Sequence, residues 1–250
     1  MRIILTTLFL VVSFVFQAQV NRLDSLNRKQ GPWVRYWKGS AQPQFEGSFY
    51  DGMPVGQFRY YYPTGEVSGV VEHIKAKYAY VTFYHRNLEV MSEGFYKNKL
   101  RDSLWLNYNR EGLTISAERF EKGKLDGKRV VFYLKDQLEW GRLYKKSETT
   151  YADSLKEGPY TSYFSSGKIM EKGFYKNDKK YGEWKIFSSK GYLDHITRFK
   201  AGKTHGWIEF FDTSGALTER VLYQDGLRLN EKETERFLKT LNAKALDPND

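Results

Sequence analysis

One motif recurs along most of this 250-residue chain and restricts what it can fold into. Its clearest copy is Gly182-Glu183-Trp184-Lys185-Ile186-Phe187. It returns as Gly31-Pro32-Trp33 with Tyr36, Gly56-Gln57-Phe58 with Tyr61, Ser103-Leu104-Trp105 with Tyr108, and Gly158-Pro159-Tyr160 with Tyr163. Weaker copies begin at Tyr78, Gly127 and Gly206, so the eight starts are 31, 56, 78, 103, 127, 158, 182 and 206. A period of about 24 residues is the length of one supersecondary unit, and a chain built this way folds as a stacked array.

Three aromatic columns run down the repeats. Two residues after each start stand Trp33, Phe58, Tyr80, Trp105, Arg129, Tyr160, Trp184 and Ile208. Five after stand Tyr36, Tyr61, Phe83, Tyr108, Phe132, Tyr163, Phe187 and Phe211, and near the unit ends Tyr50, Ile74, Tyr96, Phe120, Tyr144, Tyr175, Phe199 and Tyr223. Aromatics fill 21 of these 24 positions, whereas a 17% aromatic composition would place about 4 there by chance. Nine residues after the starts stand Ser40, Gly65, Asn87, Gly112, Asp136, Gly167, Gly191 and Gly215. Gly, Asn and Asp tolerate the positive φ of a tight hairpin, so each unit reads as strand, turn, strand; at Ser40, the adjacent Gly39 can serve. The first two columns differ in parity along a strand and should face opposite ways, unless a bulge restores one face. Rings on both faces suit a single layer better than a sandwich, which needs one polar face per sheet.

The expected fold is therefore all-β: tandem hairpins in an elongated, twisted, single-layer antiparallel sheet of 16 strands. A closed propeller with two units per blade is the competing architecture. The spacing of 31 between starts 127 and 158 marks an insertion of about seven residues. Lys145 to Tyr151 is polar, so the insertion is expected there as a surface loop, with Lys145, Lys146 and Tyr151 as candidate binding residues. The repeats are expected over residues 31–229, after a lead-in at 19–30. A capping helix and tail should occupy 230–250, with Asn230 as N-cap, Glu233 completing a capping box, and Phe237, Leu238, Leu241 and Ala245 as an apolar stripe.

The N-terminus carries a targeting pattern. Arg2 precedes an uncharged run from Ile3 to Phe16, too short to span a bilayer and suited to a signal peptide over residues 1–18, cleaved after Ala18. Export to the periplasm or cell surface is expected, with no transmembrane span in the mature chain. Cysteine is absent, which removes disulfides, thiolate metal sites and cysteine nucleophiles, so packing alone must stabilise the protein. The net charge of +10 is interspersed along the chain rather than gathered in a tail.

The unit G-x-W-x-x-Y/F, a glycine turn, and a strand ending in Y/F-K-N/G resembles the MORN-repeat variant, over roughly residues 31–226. That resemblance implies hairpin repeats and a scaffold or partner-binding role, possesses no catalytic residue to carry over, and brings the antitoxin-component label often attached to the variant. Trp33, Tyr36, Phe58, Tyr61, Trp105, Tyr108, Tyr160, Tyr163, Trp184 and Phe187 are read as structural ring ladders. No catalytic, metal-binding or cofactor-binding residue emerges. His73, His85, His195 and His205 lack ligand spacing, and Gly202-Lys203-Thr204 lacks the upstream glycine and following helix of a phosphate loop. Glu46, Glu171 and Glu219 read as a carboxylate column balanced by cross-strand lysines and arginines. The reading is a non-enzymatic protein-interaction scaffold. The alternative is a module for anionic lipid or acidic glycan, served by basic charge among rings. Export argues against nucleic acid.

Overall fold

A computed structural model describes residues 19–134, 144–244 and 246–249. The expectations of a signal peptide over 1–18, a turn at Asp136 and a helix stripe reaching Ala245 fall on residues outside these. A two-residue strand, β1 (Arg22–Leu23), precedes the array. The hairpins are β2 (Lys29–Tyr36) with β3 (Pro43–Tyr50), β4 (Met53–Tyr61) with β5 (Val67–Lys75), β6 (Tyr78–Tyr84) with β7 (Val90–Lys97), and β8 (Leu100–Tyr108) with β9 (Thr114–Glu121). They continue as β10 (Lys124–Phe132) with β11 (Lys145–Ala152), β12 (Leu155–Tyr163) with β13 (Ile169–Lys176), and β14 (Lys179–Phe187) with β15 (Leu193–Lys200). In the eighth unit, β16 (Lys203–Thr204) and β17 (Gly206–Phe211) are two parts of one strand interrupted at His205, and both pair with β15. β18 (Leu217–Gln224), β19 (Leu227–Arg228) and the helix α1 (Glu231–Asn242) follow.

Every pairing is antiparallel, giving one long open sheet of 19 strands. The propeller is thereby ruled out, and the three strands beyond the expected 16 are the two-residue pieces β1, β16 and β19. At ~4.8 Å per strand the array extends on the order of 80 Å.

Both kinds of connection are tight. Within units the turns end on a positive-φ residue: Gly39, Gly65, Leu88, Gly112, Gly167, Gly191 and Gly215. After each unit the chain turns on two residues, and in seven of eight cases both have positive φ, as in Asp51-Gly52 and Asn177-Asp178. That is the type I′ signature, whose twist matches the strands. The strands consequently begin about three residues before the motif starts: β14 opens at Lys179, ahead of Gly182. The start glycine sits mid-strand in a bulge, with Gly182 at φ 64°.

Register corrects several positions read from the sequence. Gly31 pairs with Phe49 and Gly56 with His73, so Phe49 and His73 hold the unit-end positions assigned to Tyr50 and Ile74. In the third unit Ala79 pairs with Tyr96 and Val81 with Gly94. Its columns therefore run through Val81 and Tyr84, not Tyr80 and Phe83, and its positive-φ turn residue is Leu88, not Asn87. The fifth unit changes most. Lys145–Ala152 is strand β11, not a loop; Gly127 pairs with Tyr151, and the extra residues lie in sequence between Phe132 and Lys145. The run is polar because the exposed face of a strand is polar as a loop is.

The helix is N-capped as expected: Asn230 accepts from the Glu233 backbone while the Glu233 carboxylate accepts from the Asn230 backbone. Phe237, Leu238 and Leu241 are half-buried. The tail returns to the eighth unit, where the Trp207 amide donates to Asn249 at 3.1 Å. The helix start and the sheet residues Trp207, Arg220 and Leu222 line one shared cleft, which places the helix beside the last hairpin of the array.

Candidate functional site

Because register fixes parity, the two faces can be assigned. The first carries three ring clusters. Trp184 stacks on Tyr160 at 5.4 Å and meets Tyr175 edge-on at 5.1 Å and Phe199 at 6.1 Å. Trp105 meets Tyr96, Phe120 and Phe83, and Phe58 meets Phe45, Phe49 and His73. Trp105 and Trp184 are fully buried although the sheet is one layer thick.

Three devices achieve this. Each ring lies over a glycine of the preceding hairpin: a Cβ on Gly47, Gly94 or Gly173 would come within 2.3–2.5 Å of the nearest atoms of Phe58, Trp105 or Trp184. The bulge beside that glycine frees a carbonyl, and the indole N–H of Trp105 donates to Phe95 at 3.0 Å and that of Trp184 to Phe174 at 3.2 Å. In three units a cation two residues before the start covers the ring from outside: Lys180 lies 3.8 Å from the Trp184 ring centroid, Arg101 4.3 Å from Trp105 and Lys29 4.5 Å from Trp33. No hairpin precedes Trp33, and its buried indole N–H has no partner among the described residues. Arg129 replaces a ring in this column because its strand partner is Glu118 rather than a small residue, and the two form an ion pair at 2.8 Å. Sequence reading missed the glycine seat, although a signal was present: each seat precedes its ring by eleven residues, at 47 and 58, 94 and 105, and 173 and 184.

The second face carries the other aromatic column and a carboxylate row with a period of two hairpins. Tyr61 donates to Glu46 at 2.9 Å, Tyr108 to Glu93 at 2.7 Å and Tyr163 to Glu148 at 2.7 Å. Burial, then the Glu93 carboxylate, pushes the hydroxyls of Tyr80 and Tyr108 up to about 12; burial and Glu148 do the same to Tyr163. The carboxylate column read from sequence separates here. Glu46 lies on this face, while Glu171 and Glu219 pair with Ile186 and Phe210 on the ring face, because the corrected first unit shifts Glu46 by one residue. Glu171 does meet a lysine, Lys180, at 3.3 Å.

The candidate loop residues play strand roles. Lys145 pairs with Glu148 at 2.9 Å, the Lys146 ammonium lies 5.8 Å from the Tyr133 ring, and half-buried Tyr151 occupies the unit-end column opposite Gly127. His73 is edge-on to Phe58, its imidazole held below the usual range by burial. His195 and His205 meet Asp194 and Asp225, and His85 the Tyr108 carbonyl. Gly202-Lys203-Thr204 is an inter-unit turn and strand β16, without the helix a phosphate loop requires.

Among the described residues no group of three or more His, Asp or Glu side chains is placed to hold a metal, and no helix is long and apolar enough to cross a membrane. The two most developed hollows are open: a cleft of about 600 Å³ beside the helix start and one of about 360 Å³ at the turns after β13 and β15. Comparison with known protein families and with curated proteins found no match to this chain.

Proposed function

We propose that this chain is an exported, non-enzymatic scaffold that binds a protein partner along the second face of its sheet. The observation that carries this reading is the Tyr–Glu row at Glu46, Glu93 and Glu148. It repeats every two hairpins, which is ~19 Å at the spacing of antiparallel strands. The ring face is largely covered from within, with cations over the Trp33, Trp105 and Trp184 indoles and rings in its glycine seats, and offers little for a partner to bury. The carboxylate face offers regularly spaced acceptors, exposed at Glu46 and half-buried at Glu93 and Glu148, flanked by aromatic edges, which suits an extended partner better than a small substrate. The absence of a catalytic constellation in the sequence and the resemblance to MORN-repeat variants support the same reading, including the antitoxin-like, partner-binding role that resemblance implies. Export rests on the N-terminal pattern alone.

The test is immobilised mature chain exposed to a cell-envelope extract at high salt. A bound protein is then purified and its affinity measured for wild type and for Glu46→Lys/Glu93→Lys/Glu148→Lys. The reading expects a stoichiometric complex that the triple variant loses while its circular dichroism stays unchanged. A complex of equal affinity with the triple variant would assign the interface elsewhere, and no complex at any salt would leave a purely structural role.

A further inference from the structure

The two residues flanking each inter-unit turn are direct strand partners. In order along the sheet these pairs are Tyr50 with Met53, Lys75 with Tyr78, Lys97 with Leu100, Glu121 with Lys124, Ala152 with Leu155, Lys176 with Lys179, Lys200 with Lys203, and Gln224 with Leu227. Only two pairs have like charge, and they are adjacent. Like charges directly opposite one another destabilise a sheet. Stability therefore gives no reason to place Lys176, Lys179, Lys200 and Lys203 around two neighbouring turns. All four are exposed, and none reaches a carboxylate within ion-pair distance among the described residues. The nearby Asp178 carboxylate accepts from the Lys156 amide at 2.8 Å.

Parity puts the four lysines on one face, the second, together with the cross-strand pair Phe174 and Tyr181. These rings remain 43% and 47% exposed, unlike the covered indoles of the other face. The hollow of about 360 Å³ lies here, lined by Lys176, Lys179, Lys180, Tyr181 and Lys200. The Lys176 ammonium stands 5.3 Å from the Tyr181 centroid, so charge and ring can meet one ligand together. The turn tips themselves hold Asn177, Asp178, Ala201 and Gly202, with no large apolar side chain to enter a bilayer.

We propose that this hollow binds a residue of an acidic glycan. The apolar C–H face of the sugar rests on Tyr181 and Phe174, and its sulfate, phosphate or carboxylate groups meet Lys176, Lys179, Lys200 and Lys203. This site is separate from the Glu46–Glu93–Glu148 row and does not depend on the scaffold reading.

The test is calorimetric titration of the mature chain with a dextran sulfate oligosaccharide at moderate salt, with uncharged dextran and phosphatidylglycerol vesicles in parallel. Lys176→Gln/Lys179→Gln/Lys200→Gln/Lys203→Gln is compared with Lys75→Gln/Lys77→Gln/Lys97→Gln/Lys99→Gln, which removes the same charge from two other adjacent turns. The first should weaken dextran sulfate binding at least ~10-fold and the second by less than about 3-fold, since distant exposed charges are screened. Tyr181→Ala should also weaken it, and uncharged dextran should not bind. Equal losses in the two quadruple variants would overturn the site, as would wild type that fails to bind dextran sulfate. Vesicle binding that depends on these four lysines, without dextran sulfate binding, would replace the glycan with a membrane surface.

Discussion

The glycine seat beneath Trp184 makes the strongest quantitative claim about this fold. A Cβ at position 173 would lie 2.3 Å from the indole Cδ2 and 2.4 Å from Cε2, so the ring would have to rise by more than 1 Å to reach ordinary contact. It has little room to do so, being held by Tyr160, Tyr175 and Phe199, by Lys180 above, and by its hydrogen bond to Phe174. Gly173 does not have positive φ, so alanine there meets no backbone strain and gains roughly 0.5–1 kcal/mol of strand stability over glycine. Overpacking costs about 1–3 kcal/mol or more, and this contact is severe, so Gly173→Ala should destabilise by about 2 kcal/mol net. Trp184→Ala should cost about 3–5 kcal/mol. The double variant has no clash, and its new methyl partly fills the vacancy, so its loss should be no larger than that of Trp184→Ala alone. The resulting coupling, about 2 kcal/mol, can be read from urea midpoints of the four proteins in a double-mutant cycle. A neutral or stabilising Gly173→Ala, or a double variant whose losses simply add, would refute the seat.

Two further outcomes follow from local geometry. Gly191→Val places a β-branched residue at φ 96° and should cost about 1–3 kcal/mol or more in the same assay, with a neutral result contradicting the turn assignment. The raised tyrosines fix the sign of alkaline behaviour: the unfolded chain releases their protons near pH 10, while the native state holds those of Tyr80, Tyr108 and Tyr163 to about 12. The stability they contribute is complete below pH 10 and is lost between pH 10 and 12. Replacing all three with Phe should flatten the fall of the urea midpoint across that window, and an unchanged slope would discount the Tyr–Glu row as its source.

What the sequence determined alone was everything that repeats locally. The turn glycines had to supply positive φ, the alternation of side chains placed two aromatic columns on opposite faces, and Asn230 with Glu233 specified the helix start. These depend on φ preference and on neighbours within a few residues, so they are legible without the rest of the chain. Even here the type I′ pairs between units, such as Asp51-Gly52 and Asp225-Gly226, were a readable hairpin signal that the stronger aromatic period obscured. The tertiary structure decided which residue of one hairpin meets which residue of the next. Bulges set that register, and a one-residue slip exchanges the two faces of a strand. For that reason Glu46 parted from Glu171 and Glu219, Lys145 and Lys146 entered a strand instead of a loop, and Tyr151 took the column position assigned to Tyr144. The same register brought four lysines and two exposed rings onto one face at adjacent turns, a juxtaposition across four strands that no spacing along the chain records.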